Sequence, residues 1–257
     1  MKLLTATTFA TLLCSAAVGA DQAQARPDPK PSSDVLEITP QLYRYTTELL
    51  FGEVWKREAL SPRDRSLVTV AALVASGQFP QLQGHIRLGL DNGLTPGEIT
   101  ALITHLAFYS GWPNAMSAVG VAKQVFTERH LGAEQVTPAA SAPLTLDPES
   151  ESKRRAAVQA GVGDVAPELA RYTNEILFGQ VWRDSSLTPR DRSLVTVAAL
   201  VAQGQAAQLP FHLNRAMDNG LTREQAAEVV THLAFYVGWP KAMSAVPVLK
   251  EVFAGRA

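Results

Sequence analysis

The chain has 257 residues, and its 23 Lys+Arg against 24 Asp+Glu exclude a nucleic-acid binder held by bulk positive charge. Hydrophobic residues at 46% exclude a disordered chain, and 17 Gly with 16 Pro are too few for a fibrous one. The one cysteine, Cys14, lies in the first segment. That segment has Lys2 as a short positive region and an apolar stretch over Leu3–Val18. Small-residue cleavage candidates follow at Val18-Gly19-Ala20 and Ala23-Gln24-Ala25. It predicts a signal peptide within 1–25, export to a bacterial periplasm or the outside, and no membrane contact after cleavage. The processed chain would hold no thiol, which excludes disulfides, cysteine-ligated zinc and thiol catalysis.

After a Pro-rich stretch (Arg26–Ser33), the chain is one unit written twice. Tyr43–Phe126 overlays Ala170–Phe253 at a shift of 127 with no gap, and 52 of the 84 paired positions are identical. Pro62–Ala75 recurs as Pro189–Ala202, and Thr104–Tyr109 recurs as Thr231–Tyr236. The boundaries read as repeat 1 over 34–132, a linker over 133–148 and repeat 2 over 149–257.

Each copy reads as helical. An amphipathic helix is predicted from about Pro40 to Lys56. Ser61-Pro62-Arg63-Asp64 supplies an N-cap, a proline at the first helical position and an acid at the third, and Thr188-Pro189-Arg190-Asp191 repeats it. The helix that follows, Leu67–Ala75, is apolar nearly all round and is predicted to be the buried centre of the copy. A helix from Pro80 to Asp91 stops at Asn92-Gly93, another opens at Thr95 and runs to about Tyr109, and a last one follows Gly111-Trp112-Pro113 to Phe126. Asp147–Gly161 predicts a lead-in helix to copy two. Alternating strand patterns are absent, so the fold class is all-α, in two similar bundles.

Few residues can carry chemistry. His85 and His105 recur as His212 and His232, whereas His130 has no counterpart. His85 is kept although its neighbours Gln83, Gly84, Ile86, Arg87 and Leu88 change to Pro210, Phe211, Leu213, Asn214 and Arg215, which favours a side-chain role over core packing. Histidine suits acid–base work because it titrates near neutrality. Arg63, Asp64 and Arg65 open the central helix, where such charges are mostly solvated or paired with each other; Arg65, with Arg192 in the second copy, also stands where the helix begins to be covered, and a buried guanidinium there would hold a substrate carboxylate. Glu53 becomes Gln180, so a proton shuttle at Glu53 would make copy one the better catalyst. Trp55, Trp112, Trp182 and Trp239 read first as core packing or subunit contacts, with a pocket wall at Trp112 and Trp239 the lesser reading. The paired histidines lie 20 residues apart without a close third ligand, so no metal is expected. No phosphate loop or serine elbow is present.

Phe51-Gly52-Glu53-Val54-Trp55, Arg65-Ser66-Leu67, His85, Asp91-Asn92-Gly93-Leu94-Thr95 and Tyr109-x-Gly-x-Pro113 together resemble the carboxymuconolactone decarboxylase family of the alkylhydroperoxidase-like superfamily. The resemblance covers both copies. It implies two alkylhydroperoxidase-like bundles in tandem, and an assembly, most simply a trimer, because single-domain members form trimers or hexamers. It carries His85, His212, Arg65 and Arg192 over as site residues. The superfamily's peroxidase branch has Cys-x-x-Cys-x-x-x-His where this chain has Gln78-x-x-Gln81-x-x-x-His85, so peroxidase chemistry is excluded. The implied activity is cofactor-independent decarboxylation, or related acid–base chemistry, on a small carboxylated lactone or carbonyl compound. The alternative is a non-catalytic oligomer that binds a small ligand or acts as a scaffold.

Overall fold

The computed structural model describes residues 31–136 and 142–256. The leader predicted for residues 1–25, with Cys14, and part of the linker lie outside the described residues. Copy one comprises α1 (Ser33–Ile38), α2 (Pro40–Arg44), α3 (Pro62–Ala75), α4 (Phe79–Asp91), α5 (Pro96–Ser110), α6 (Trp112–Glu128) and the short α7 (Ala133–Val136). Copy two begins with the lead-in helix α8 (Pro148–Val162) and α9 (Pro167–Tyr172). It continues with α10 (Pro189–Gln203), α11 (Leu209–Asp218), α12 (Arg223–Val237) and α13 (Trp239–Ala254). No strand occurs among the described residues, as the patterning predicts.

The caps fall where the sequence puts them. The Ser61 and Thr188 hydroxyls accept from the Asp64 and Asp191 amides, and Thr95 with Glu98 forms a full capping box that Thr222 and Gln225 repeat. The predicted helix Pro40–Lys56 differs. After α2 the coil widens into a π-helical turn over Tyr45–Leu50, turns at Gly52, and resumes as one 3₁₀ turn, Val54–Lys56. Copy two repeats this over Thr173–Leu177 and Val181–Arg183. Glycine is required at the turn, because a Cβ on Gly52 would stand 2.2 Å from the Glu48 carbonyl oxygen, and one on Gly179 equally close to that of Glu175. The turn lifts Trp55 and Trp182 away from the helix they would otherwise continue and aims them inward.

The two copies share one continuous apolar core. Its centre is α3 against α10, each buried from its third residue onward, which is why these two segments are apolar all round. α5 of copy one lies on α10 of copy two as well as on α3, and α12 of copy two lies on α3 of copy one as well as on α10, so each copy lends a helix to the other. The first turns of α3 and α10 meet there. Arg190 donates to Asp64 at 2.7 and 3.2 Å, and Arg63 donates to Asp191 at 2.8 Å and to Glu98 at 2.5 Å. Both aspartates are buried and both arginines about a quarter exposed, so these pairs are screened less than surface ones.

The reciprocal pairing makes a prediction. Asp64→Asn should lower unfolding stability by about 2 kcal/mol, and a double-mutant cycle with Arg190→Met should return a coupling of about 1–2 kcal/mol in urea titration. A coupling near zero would mean that the pairs do not hold the two copies together.

Candidate functional site

The exchanged helices create two related centres, each made from both copies. In the first, α3 presents Arg65 and Thr69 one turn apart, α4 presents His85, and the π-helical turn delivers Trp55. α12 of the other copy adds Glu228, His232 and Tyr236, which are spaced by four and form one stripe. The second centre has the same parts: Arg192, Thr196, His212 and Trp182 from copy two, with His105 and Tyr109 from α5 of copy one.

The hydrogen bonds fix the protonation of the inner histidines. Thr69 has one hydroxyl proton and donates it to the Arg65 carbonyl at 2.7 Å, so it must accept from His232 Nε2–H at 2.8 Å. His232 Nδ1 is then bare and accepts from the Arg65 guanidinium at 3.3 Å. The second centre repeats the ring. Thr196 donates to the Arg192 carbonyl at 2.8 Å, His105 Nε2–H donates to Thr196 at 2.7 Å, and Arg192 donates to His105 Nδ1 at 3.4 Å. A second proton on either imidazole would meet a guanidinium. Burial, then the adjoining arginine, pushes His232 down to about 3 and His105 well below its ordinary value. In this tautomer the two histidines hold the arginines in place.

The outer histidines differ. His85 and His212 stack on Trp55 and Trp182 with ring planes 17° and 16° apart, and Tyr236 and Tyr109 stand edge-on to them. Trp55 Nε1–H donates to the Tyr236 oxygen at 2.8 Å, and Trp182 does the same to Tyr109. His85 Nδ1 and His212 Nδ1 are buried with no protein partner. Burial takes His85 down to about 4, and burial with the Arg215 charge takes His212 to about 3. His85 borders a cavity of about 300 Å³ with Gln78, Gln81 and Lys241. In copy two Phe211 replaces Gly84 and stands edge-on against His212, while Arg215 lies over Trp182.

On the arginine side the two centres diverge. Glu228 accepts from Arg65 at 2.8 Å and from both Nε and Nη2 of Arg57 at 2.9–3.0 Å. Burial works against its charge, but these donors outweigh burial and hold the carboxyl below its usual range. In the second centre Ala101 stands at the position of Glu228 and Asp184 at that of Arg57. Arg192 there borders a cavity of about 540 Å³ lined also by Thr104, His105, Gln180, Asp184 and Ser186. Its Nη2 donates to the Asp184 backbone carbonyl and, at 3.2 Å, to the half-exposed Asp184 carboxylate. Burial lowers the Arg192 pKa, with Asp184 opposing.

Several sequence expectations land elsewhere. His85 is brought together with His232, and His105 with His212, instead of the two histidines of one copy sharing a centre, because α5 and α12 are exchanged. Glu53 is exposed on the outer surface and borders neither cavity described here, whereas Gln180 lines the larger one. Trp112 and Trp239 are 56% exposed, each edge-on to a phenylalanine of the preceding helix, and line neither cavity, because the glycine breaks at 111 and 238 start new helices pointing outward. A cavity borders Arg192 and is lined from both copies, whereas at Arg65 the Glu228 carboxylate occupies the arginine's solvent side. Sequence reasoning missed Thr69, Thr196, Tyr109 and Tyr236. It also missed Arg57, Asp184 and Glu228, whose trace is two charge-changing exchanges between the repeats, Arg57/Asp184 and Ala101/Glu228. Among the described residues no cluster of three or more His, Cys, Asp or Glu side chains is placed to hold a metal ion, and no helix is long and apolar enough to cross a membrane.

An all-α double bundle with a buried Arg–His–Thr ring at each of two exchanged centres defines the class. The profile of the carboxymuconolactone decarboxylase family matches residues 40–124 and again 167–251, and the chain belongs to that family. It is 37% identical over 92 residues to the 4-carboxymuconolactone decarboxylase of Acinetobacter baylyi, covering 36% of this chain and 69% of that protein. It is 32% identical over 82 residues to a nitrosuccinic acid decarboxylase of Metarhizium robertsii, covering 32% of this chain and 57% of that protein. An uncharacterised 15.0 kDa protein of Paracoccus denitrificans is 30% identical over 94 residues, covering 36% and 70%. Each match has the length of one copy.

The depressed histidines predict a pH dependence. Below pH 6.5 the unfolded chain takes up protons at His85, His105, His212 and His232 that the folded chain refuses down to about pH 4 at His85 and about 3 at His212 and His232, with His105 also held well below its ordinary value, so stability is full above 6.5 and is lost as pH falls below it. Four such groups approach a slope of about 5 kcal/mol per pH unit. Urea titrations at pH 7.5, 6 and 5 measure it. Histidine NMR should show His105 and His232 as neutral Nε2–H tautomers at pH 6, and a signal from either titrating near 6.5 in the folded protein would contradict the ring.

Proposed function

We propose that the protein removes carbon dioxide, without a cofactor, from a small carboxylated lactone or carbonyl compound bound at Arg192. The observation that carries this is a buried guanidinium, oriented by His105 and Thr196, that faces a cavity of about 540 Å³. Family membership and two similar proteins named as decarboxylases support the reaction type. A planar guanidinium binds carboxylate through paired hydrogen bonds, and a buried one does so with less competition from water. In the substrate the bond to the departing carboxylate breaks and its electron pair moves into the conjugated carbonyl, giving an enolate and carbon dioxide. With Arg192 holding a carboxylate, the Gln180 amide and the Ser186 hydroxyl are the donors available to stabilise the developing oxyanion. A proton from water entering at the open mouth then goes to carbon, which balances the reaction at one proton consumed. A scaffold would bury His85 and His105 with backbone partners and leave no cavity, whereas His105 bonds the Thr196 and Arg192 side chains and both histidines border cavities; a small-ligand binder would keep the same cavities, and turnover separates it from an enzyme.

We further propose export of the processed chain and self-association, with a trimer as the simplest assembly. Support for the latter is the exposed stripe Trp112, Met116 and Val119 on α6 and the matching Trp239 and Met243 on α13. Light scattering of the processed chain should give a multimer, and a monomer would remove this part.

The catalytic proposal is tested with 4-carboxymuconolactone and nitrosuccinate, the compounds named for the relatives, in a carbon dioxide release assay. Arg192→Met should lower kcat/KM by about two to three orders of magnitude while leaving circular dichroism unchanged. Wild-type turnover that survives Arg192→Met intact would refute the assignment. His105→Phe should act in the same direction through a displaced guanidinium.

A further inference from the structure

The two centres keep the same ring and differ at the two positions that decide whether a carboxylate can reach the arginine. Trp55/Trp182, Arg65/Arg192, Thr69/Thr196, His85/His212, His105/His232 and Tyr109/Tyr236 are identical pairs under the 127-residue shift. Residues 57 and 184 are Arg and Asp, and residues 101 and 228 are Ala and Glu. In space these two exchanges meet in one centre. Glu228 reaches from α12 of copy two to Arg65 of copy one, and Arg57 closes over it with two further donors. The Glu228 side chain is 3% exposed and that of Arg65 is fully buried. The Arg65 guanidinium meets a carboxylate oxygen at 2.8 Å, the Arg57 carbonyl at 2.5 Å and His232 Nδ1 at 3.3 Å. Its Nη2 thus meets one carboxylate oxygen, a contact that a bound acid would also offer.

We infer that Glu228 is a resident substitute for the ligand carboxylate, so that the chain carries one working carboxylate site, at Arg192, and one that is built shut, at Arg65. This rests on the assignment of Arg192 as a carboxylate site and specifies where that function is absent. Arg57 supplies the charge that makes the plug permanent. A buried Glu228 facing Arg65 alone would be a single pair, and the second arginine neutralises it from the solvent side, where its own side chain is 47% exposed. At Arg192 the corresponding contact comes from Asp184, whose carboxylate is 54% exposed, lies at 3.2 Å and has no second arginine clamping it, so an incoming carboxylate can take its place. The consequence is a binding stoichiometry of one acid per chain in spite of the duplication. Two substitutions that copy the second centre into the first, Arg57→Asp and Glu228→Ala, should open a second site.

Calorimetric titration with succinate, an inert dicarboxylate, tests this on the full chain. The expected result is one site per chain for the wild type, its loss in Arg192→Met, and two sites in Arg57→Asp/Glu228→Ala, one of which persists when Arg192→Met is added. Two sites in the wild type, or one that survives Arg192→Met, would overturn the inference, and both measurements hold whether or not the double variant folds. A folded double variant that still binds one equivalent would overturn it as well. If the wild type binds nothing and the double variant binds one, the Arg192 assignment falls and the plug stands. If neither folded protein binds, both fall.

Discussion

Two guanidinium groups lie inside the protein, and nearly everything about its centres follows from satisfying them. An arginine cannot shed its charge at any ordinary pH, so Arg65 and Arg192, with almost no exposure, need acceptors, and at both the Nη groups find them while the buried Nε has no protein partner. Each receives a backbone carbonyl from the loop before its helix, an imidazole nitrogen from the other copy and a carboxylate. The imidazole can accept only while neutral, and the threonine one turn along the same helix enforces that by taking its Nε2–H. The ring therefore couples the charge of the arginine to the tautomer of a histidine supplied by the other repeat.

This explains why the copies are interlocked and do not stand as two beads. The stripe on α5 belongs to the arginine of α10, and the stripe on α12 belongs to the arginine of α3. Neither copy alone can satisfy its own guanidinium, so neither centre exists without the other repeat. Fusion keeps the two halves at equal concentration and also frees them to diverge, since a mutation in one copy affects only one centre. The divergence is complementary. One centre has gained the Glu228–Arg57 closure on its arginine side and remains open beside His85. The other has Ala101 and Asp184 at those positions, has a cavity beside Arg192, and carries Phe211 and Arg215 around His212.

Much of this was legible in the sequence where the rule involved is local. The capping residues at 61, 95, 188 and 222 place four helix starts, the all-apolar run after Arg65 marks the buried helix, and the gapless repeat sets the symmetry. The π-helical turn was not legible, since nothing at Tyr45–Leu50 breaks helical periodicity, and only the close approach at Gly52 betrays it. The pairing of centres was not legible either. His85 and His105 sit in the same copy, and chain proximity argues for one shared site. Their separation depends on which copy of a repeated helix packs on which, and identical sequences cannot decide that. The exchange of Ala101 for Glu228 and of Arg57 for Asp184 stood in the alignment of the repeats, yet its meaning appears only when the residues are found 2.9 Å apart. Glu53 misled because a change from a titratable residue to Gln looks functional, while its side chain points to solvent.

The central claim is that a guanidinium from one repeat, held by a histidine from the other, receives the ligand carboxylate at one of two related centres. Diffraction from crystals soaked in succinate tests it most directly. The account predicts carboxylate density paired with Arg192, the Asp184 side chain turned away, and the Glu228 carboxylate unmoved on Arg65. Density paired with Arg65 in place of Glu228, or a ligand seated only beside His85 with Arg192 untouched, would contradict it.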